Sequence, residues 1–264
     1  MKKIWIGAVA ACALTLTGCG GSSDNTAKTE TPAATAPAGG GDAVPDEANG
    51  GTVTGKVAFD GTAPKMPTID MSDKPDCMKY HNGAPVKSQE VVVNGNGTLK
   101  NVFVWVKAGL PDGKTWKTPA NNVELDQKGC MYEPHVIGVM TGQNIEIKND
   151  DPQTNHNIHP AAQANGDFNQ SQSPGAPPIM KSYARQEVMI PVKCNVHPWM
   201  RAYIGVVSHP FYAVTGDDGT FTIKGLPPGT YTIEIVHEKY GKQEQQVTVG
   251  AKETKNADFT VKGA

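Results

Sequence analysis

From residue 51 onward the chain alternates apolar and polar residues over short runs. Thr52-Val53-Thr54-Gly55-Lys56-Val57-Ala58-Phe59 alternates and stops at Asp60-Gly61. Val102-Phe103-Val104-Trp105-Val106-Lys107 is an apolar run that stops at Gly109. Near the C-terminus the same two-residue period marks Thr220 to Lys224, Tyr231 to Val236, Gln245 to Val249 and Ala257 to Val261. Asp218-Gly219 and Leu226-Pro227-Pro228-Gly229 punctuate these runs. A period of two places alternate side chains on opposite faces, as a half-buried strand requires, and Gly/Pro clusters supply the turns. No stretch carries a convincing amphipathic-helix period, so the pattern predicts an all-β protein. The 29 Gly and 20 Pro agree with a turn-rich chain.

The first fifty residues follow another logic. Lys2 and Lys3 precede an apolar run from Ile4 to Leu16. That run falls short of the ~20 residues a spanning helix needs, and its charged start fits an export signal. It ends in Leu16-Thr17-Gly18-Cys19, which resembles the bacterial lipobox, in which the Cys is lipidated and begins the mature chain. Residues 1–18 are therefore expected to be a signal peptide and Cys19 a lipid anchor. Residues 19–50, rich in Gly, Ala, Thr, Pro and Ser without apolar periodicity, are expected to form a disordered tether. The chain is thus placed outside the cytoplasm, in the periplasm on a membrane. Gly20 after the Cys implies the outer membrane, by resemblance to sorted lipoproteins and where the organism has one.

Length and charge narrow the rest. After processing, 264 residues leave room for two modest domains. A formal net charge of -2, with no long basic run, gives no electrostatic basis for binding nucleic acid.

Asp217-Asp218-Gly219-Thr220-Phe221-Thr222-Ile223 and Gly225-Leu226-Pro227-Pro228-Gly229-Thr230-Tyr231-Thr232-Ile233 resemble the carboxypeptidase regulatory-like module, a prealbumin-type, Ig-like β-sandwich. Gly55-Lys56-Val57 and the strand Val102 to Lys107 look like its opening strands. The resemblance implies an interrupted module, with residues 51–118 as its first part and 209–264 as the remainder. A unit of domain size, residues 119–208, stands between them.

That intervening segment holds the chemistry. Tyr132-Glu133-Pro134-His135-Val136-Ile137-Gly138-Val139, Gly142-Gln143-Asn144-Ile145-Glu146-Ile147-Lys148-Asn149-Asp150 and His156-Asn157-Ile158 resemble the first half of a cupredoxin, a Greek-key β-sandwich. Val188 to Cys194, then Asn195-Val196-His197-Pro198-Trp199-Met200, resemble its second half, and Tyr203 to Val207 its closing strand. The short Cys-x2-His-x2-Met loop is similar to that of amicyanin, and His156-Asn157 to the His-Asn pair of plastocyanin and amicyanin. The resemblance implies one type 1 copper ion held by His156, Cys194, His197 and Met200. Such a site needs two imidazoles, a thiolate and a weak axial thioether. Val188, Ile190, Val192 and Cys194 share one parity, so an extended strand turns the thiol toward the core.

Other metals fit this set less well. Structural zinc sites close with Cys and His and do not favour a thioether. A dinuclear copper centre needs two Cys in the loop, and haem attachment needs Cys-x-x-Cys-His; neither is present. Seven His without a His-x-His pair exclude a multicopper oxidase. His159, at an odd offset from His156, should face away from the metal. His135, His209 and His237 read as strand or turn histidines. Pro198 and Trp199 suit either apolar cover or a docking surface.

The resemblance implies single-electron transfer between redox protein partners, a donor and an acceptor, without enzymatic turnover. It also implies that Asn157 and the backbone at Asn195 brace the ligand loop, and that electrons pass at the His197 ring edge. The alternative is a copper-handling lipoprotein without redox turnover, since the same donors hold Cu(I). A surface adhesion protein is suggested only by the prealbumin-type module. With Cys12 in the signal, Cys19 lipidated and Cys194 a ligand, Cys77 and Cys130 are expected to form a disulfide in an oxidising compartment. Their neighbours His81 and His135 leave a second metal site as the other possibility.

Overall fold

The computed structural model describes residues 41–263. The signal peptide, Cys19 and most of the tether lie outside the described residues.

Strands dominate. In chain order the elements begin with β1 (Gly51–Asp60), a short helix α1 (Pro75–Tyr80), the only helix among the described residues, and β2 (Phe103–Ala108). A central group follows: β3 (Val123–Lys128), β4 (Met131–Glu133), β5 (Val136–Met140), β6 (Ile145–Asn149), β7 (His156–Pro160), β8 (Gln170–Gln172), β9 (Ile179–Lys181), β10 (Glu187–Lys193) and β11 (Arg201–Val207). The last group is β12 (Tyr212–Val214), β13 (Thr220–Leu226), β14 (Gly229–His237), β15 (Gly241–Val249), β16 (Thr254–Asn256) and β17 (Phe259–Lys262).

Pairing sorts these strands into two sandwiches. β1 pairs with β13, β16 and β17, while β2 lies between β12 and β14, with β15 at the edge. These sheets close over Val53, Val57, Val104, Phe221, Ile233 and Phe259. The central strands form the sheets β5-β11-β10-β7-β8 and β4-β3-β6-β9, enclosing Leu125, Ile147, Ile158, Val192, Ile204 and Val206. The chain therefore makes two strands of an outer sandwich, builds an inner sandwich, and returns to finish the outer one. β1 pairs antiparallel with β13 across a separation filled by the whole inner unit.

Three expectations need correction. Residues 41–50 are not tether: Ala43 bridges Trp116, and the Lys117 amide donates to the Ala43 carbonyl at 2.8 Å. Gly41 is buried there because its backbone lies on Thr115 and Trp116, which leave no room for a side chain. Nor does all of 51–118 belong to the outer sandwich. Met71 and Cys77 are buried in the inner core, with Ile69, Tyr80 and Val86 packed on it. These apolar residues and the Cys77–Cys130 disulfide draw the segment carrying α1 over the inner unit. Thirdly, Val188 leaves the parity of Ile190 and Val192. The register of β10 shifts between Glu187 and Ile190, and Met189 adopts φ 61°. A bulge adds one residue and re-aims those before it, so Val188 and Met189 pack instead with Phe103 and Trp105 of the outer sandwich.

The sandwiches meet through a pair of glycines. Gly138 on β5 and Gly205 on β11 are register partners in a parallel ladder. A Cβ on Gly205 would lie 2.4 Å from the Phe103 ring, and one on Gly138 2.4 Å from Tyr212. The bare backbone lets these two stacked rings seat on the inner sheet (centroids 5.9 Å apart).

Candidate metal centre

Three donors converge at one end of the inner sandwich. His156 begins β7, Cys194 follows β10, and His197 lies in the loop before β11. The Nδ1 atoms of His156 and His197 are 3.0 Å apart, and Cys194 Sγ is 3.8 Å from His197 Nδ1. All three residues are buried, as is Met200. The loop is tight: the Met200 amide donates to the His197 carbonyl at 2.9 Å, and the Cys194 amide to the Met200 carbonyl at 3.3 Å. The fold thus brings His156, Cys194 and His197 together, with Met200 in the same loop and the same core.

Electrostatics make the thiol a ligand. Burial alone would raise its pKa, but hydrogen bonds from His156, His197 and the amides of Asn157 and His197 outweigh burial and bring it down to about 5. A thiolate is the form that binds metal. His156 shifts the other way. Burial would lower it, yet the Asp151 carboxylate and the Cys194 sulfur hold it above its ordinary value. Two imidazoles and a thiolate turned inward on one point, screened from water, fit a soft or borderline metal ion.

The surroundings brace this set. Asn157 Oδ1 accepts the Asn195 amide, and Asn157 Nδ2 donates to Asn169 Oδ1 at 2.5 Å. The Tyr132 hydroxyl donates to the Asn157 carbonyl at 2.5 Å. Asp151, which sequence reasoning passed over, bonds His156 Nε2 at 2.7 Å. Nothing local in the sequence marks it, because its other partners, the Gly129 and Cys130 amides, come from a distant hairpin turn.

The remaining histidines fall elsewhere. His159 lies beside Asn195 and Asp167, at 3.2 and 3.3 Å. His135 pairs with Glu238 at 2.5 Å, across the two sandwiches. His81 Nε2 is 2.7 Å from the Gly129 carbonyl. Cys77 and Cys130 are joined as a disulfide, so the four residues weighed as a second metal site are not gathered into one.

The disulfide has a further consequence. Its sulfurs and a His197 ring nitrogen lie within 4.8 Å of one another. His197 is only 1% exposed and lines a cavity of about 200 Å³ with Asp73 to Cys77 and Gln153 to Asn155. The His197 ring edge is therefore not the open port that the resemblance implied. Trp199 is the partly exposed neighbour, its ring centroid 5.2 Å from that of His197 and its Nε1 donating to the Cys130 carbonyl at 3.0 Å.

Comparison with known proteins adds the following. Residues 199–262 match the family model of the carboxypeptidase regulatory-like domain, which covers β11 to β17 and so the return into the outer sandwich. A search of curated proteins finds no match to the chain. Among solved structures, a copper-containing nitrite reductase from Thermus scotoductus SA-01 aligns over 38% of this chain at 17% identity, with a TM-score of 0.31. The aligned part spans 25% of that reductase. A variant of amicyanin in its Cu(I) state aligns over 33% of this chain and 85% of its own, at 18% identity and a TM-score of 0.29. A second Cu(I) amicyanin variant covers 40% of this chain and 98% of its own, at 16% identity and a TM-score of 0.29.

Proposed function

We propose that this chain is a type 1 blue-copper protein, held outside the cytoplasm by a lipid at Cys19, that passes single electrons between redox proteins. The observation that carries the reading is the buried convergence of His156, Cys194 and His197, with Met200 closing the same loop. The donor set fits copper better than zinc, because a thioether stands beside one thiolate and two imidazoles. Bound copper would supply the one-electron couple. The chain's residues do the rest: Cys194 offers a thiolate at neutral pH, His156 and His197 offer nitrogen lone pairs, and Asn157 holds the loop through the Asn195 amide. Ligands on β7, beyond β10 and before β11 are held by the sandwich itself, so a change of charge need move little.

The test is the visible absorption and electron paramagnetic resonance spectrum of the copper-loaded full-length protein. An intense charge-transfer band from Cys194 and a reversible one-electron wave are expected. A colourless, redox-silent protein that exchanges Cu(I) readily would overturn the reading and favour copper handling.

A further inference from the structure

We infer that Asp151 is the positioning residue of the copper site, orienting His156 and biasing the bound ion toward its oxidised state. The inference rests on the type 1 reading of the site. Asp151 is 2% exposed, so its carboxylate sits out of water and must be held by donors. The donors are ordered. The hairpin between β3 and β4 turns through Gly129 and Cys130, with φ of 62° and 54°. Two successive left-handed residues make a turn whose amides point the same way, a small cradle for an anion. The Gly129 amide donates to Asp151 Oδ1 at 2.6 Å and the Cys130 amide to Oδ2 at 2.7 Å. Cys130 is not glycine, and a left-handed conformation is uncommon for such a residue. The disulfide to Cys77 fixes it there.

The carboxylate so held faces His156 Nε2 at 2.7 Å. It can only accept, so Nε2 carries the proton and Nδ1 keeps its lone pair. Nδ1 is the atom turned to His197 and the metal position. A carboxylate behind a ligating imidazole fixes the tautomer and raises ligand basicity. Its negative charge in a dry setting favours the more positive ion.

The experiment compares the full-length protein with Asp151→Asn and Asp151→Ala. In the metal-free wild type at pH 8, nitrogen-15 imidazole correlations should place the His156 proton on Nε2. Asp151→Ala should mix the tautomers, and its Cu(II) affinity should fall about 10–100-fold. Asp151→Asn keeps the volume and loses the charge. Its Cu(II) affinity should drop about tenfold more than its Cu(I) affinity, a potential higher by about 59 mV for one electron. Should the alanine variant fail to fold, the asparagine variant decides. Wild-type potential and tautomer in a variant that merely melts earlier would reduce Asp151 to a prop for the turn and overturn the inference. Failure of the blue-copper reading would show separately, in a wild type without the visible band. The tautomer and Cu(I) affinity would still report on Asp151.

Discussion

At the scale of single residues, the proposed copper site depends most on the Cys194 sulfur. Cys194→Ser puts a hard oxygen in its place and should abolish the visible band, which absorption of the copper-loaded variant will report. Met200→Leu should leave copper bound and raise the potential, because a long axial bond contributes little to affinity and its loss removes a donor to Cu(II). A third residue acts on stability alone. His209 is buried; its Nε2 donates to the Val106 carbonyl at 2.8 Å while its Nδ1 accepts the Phe211 amide at 3.2 Å. Both nitrogens are used by the neutral ring, and burial outweighs the Val106 bond to lower its pKa from 6.5 to about 4. A base held below its unfolded value stabilises the fold above pH 6.5, and that stability is lost as pH falls toward 4. The difference is worth about 3 kcal/mol at most. Urea unfolding at pH 7 and pH 4.5 should show a smaller loss in His209→Gln than in the wild type. The proposed ligands stood out in the sequence through the cupredoxin resemblance, with Cys194, His197 and Met200 in one short loop, and the fold gathers His156, Cys194 and His197. Asp151 was illegible because its meaning depends on amides twenty residues away. The facing of Val188 was misread because one left-handed residue, Met189, resets the alternation.

Among elements, β1, β2, β13, β14, β15 and β17 of the outer sandwich were legible from their two-residue period, and their ends moved only by a few residues. The short β8, β9, β12 and β16 carry too few residues to show a period. The stretch from 69 to 86 was assigned to the wrong sandwich for a physical reason: it is mostly loop, and its place is decided by tertiary burial of Met71 and Cys77 rather than by local pattern, whereas Val91 and Leu99 further on do pack in the outer core. The staple that holds it there can be tested. Replacing Cys77 and Cys130 together by Ala should lower stability by about 2–4 kcal/mol in chemical denaturation. The same variant should lose copper faster to a chelator, since the disulfide sulfurs lie within 4.8 Å of a His197 ring nitrogen. Unchanged release would mean that the cover stays closed without its staple. The glycine pair on β5 and β11 offers a second test. Gly205→Ala pushes a methyl into the Phe103 ring, where backbone and ring are both buried. Overpacking of this kind costs about 1–3 kcal/mol. Phe103→Leu in the same chain should recover part of the loss, and a double-mutant cycle measures the coupling.

For the whole molecule, the outer sandwich matters because it shapes the approach to the metal position. A cleft of about 600 Å³ lies beside the ligand loop, lined by Trp199, Arg201 and Tyr203 on one side and by Pro67, Glu90 and Glu238 on the other. His135 and Glu238, both in its lining, tie the two sandwiches together. Two routes to the site then compete. One runs under α1, where Val196 is 40% exposed but the His197 ring behind it is covered. The other runs through Trp199, whose ring lies in the cleft and next to His197. We expect the Trp199 route to dominate, because its partly exposed ring lies 5.2 Å from the His197 ring and lines the cleft. Trp199→Glu should therefore slow oxidation of the reduced copper protein by a soluble redox reagent, followed by stopped-flow absorbance. The blue spectrum should stay nearly intact, because Trp199 is not a ligand. Val196→Glu should leave the rate close to wild type. The reverse ranking, with Val196 rate-sensitive and Trp199 silent, would move the port to the α1 side. The disulfide-stapled segment would then be a gate over His197 that opens during exchange, and the Cys77 and Cys130 double variant would transfer faster than the wild type.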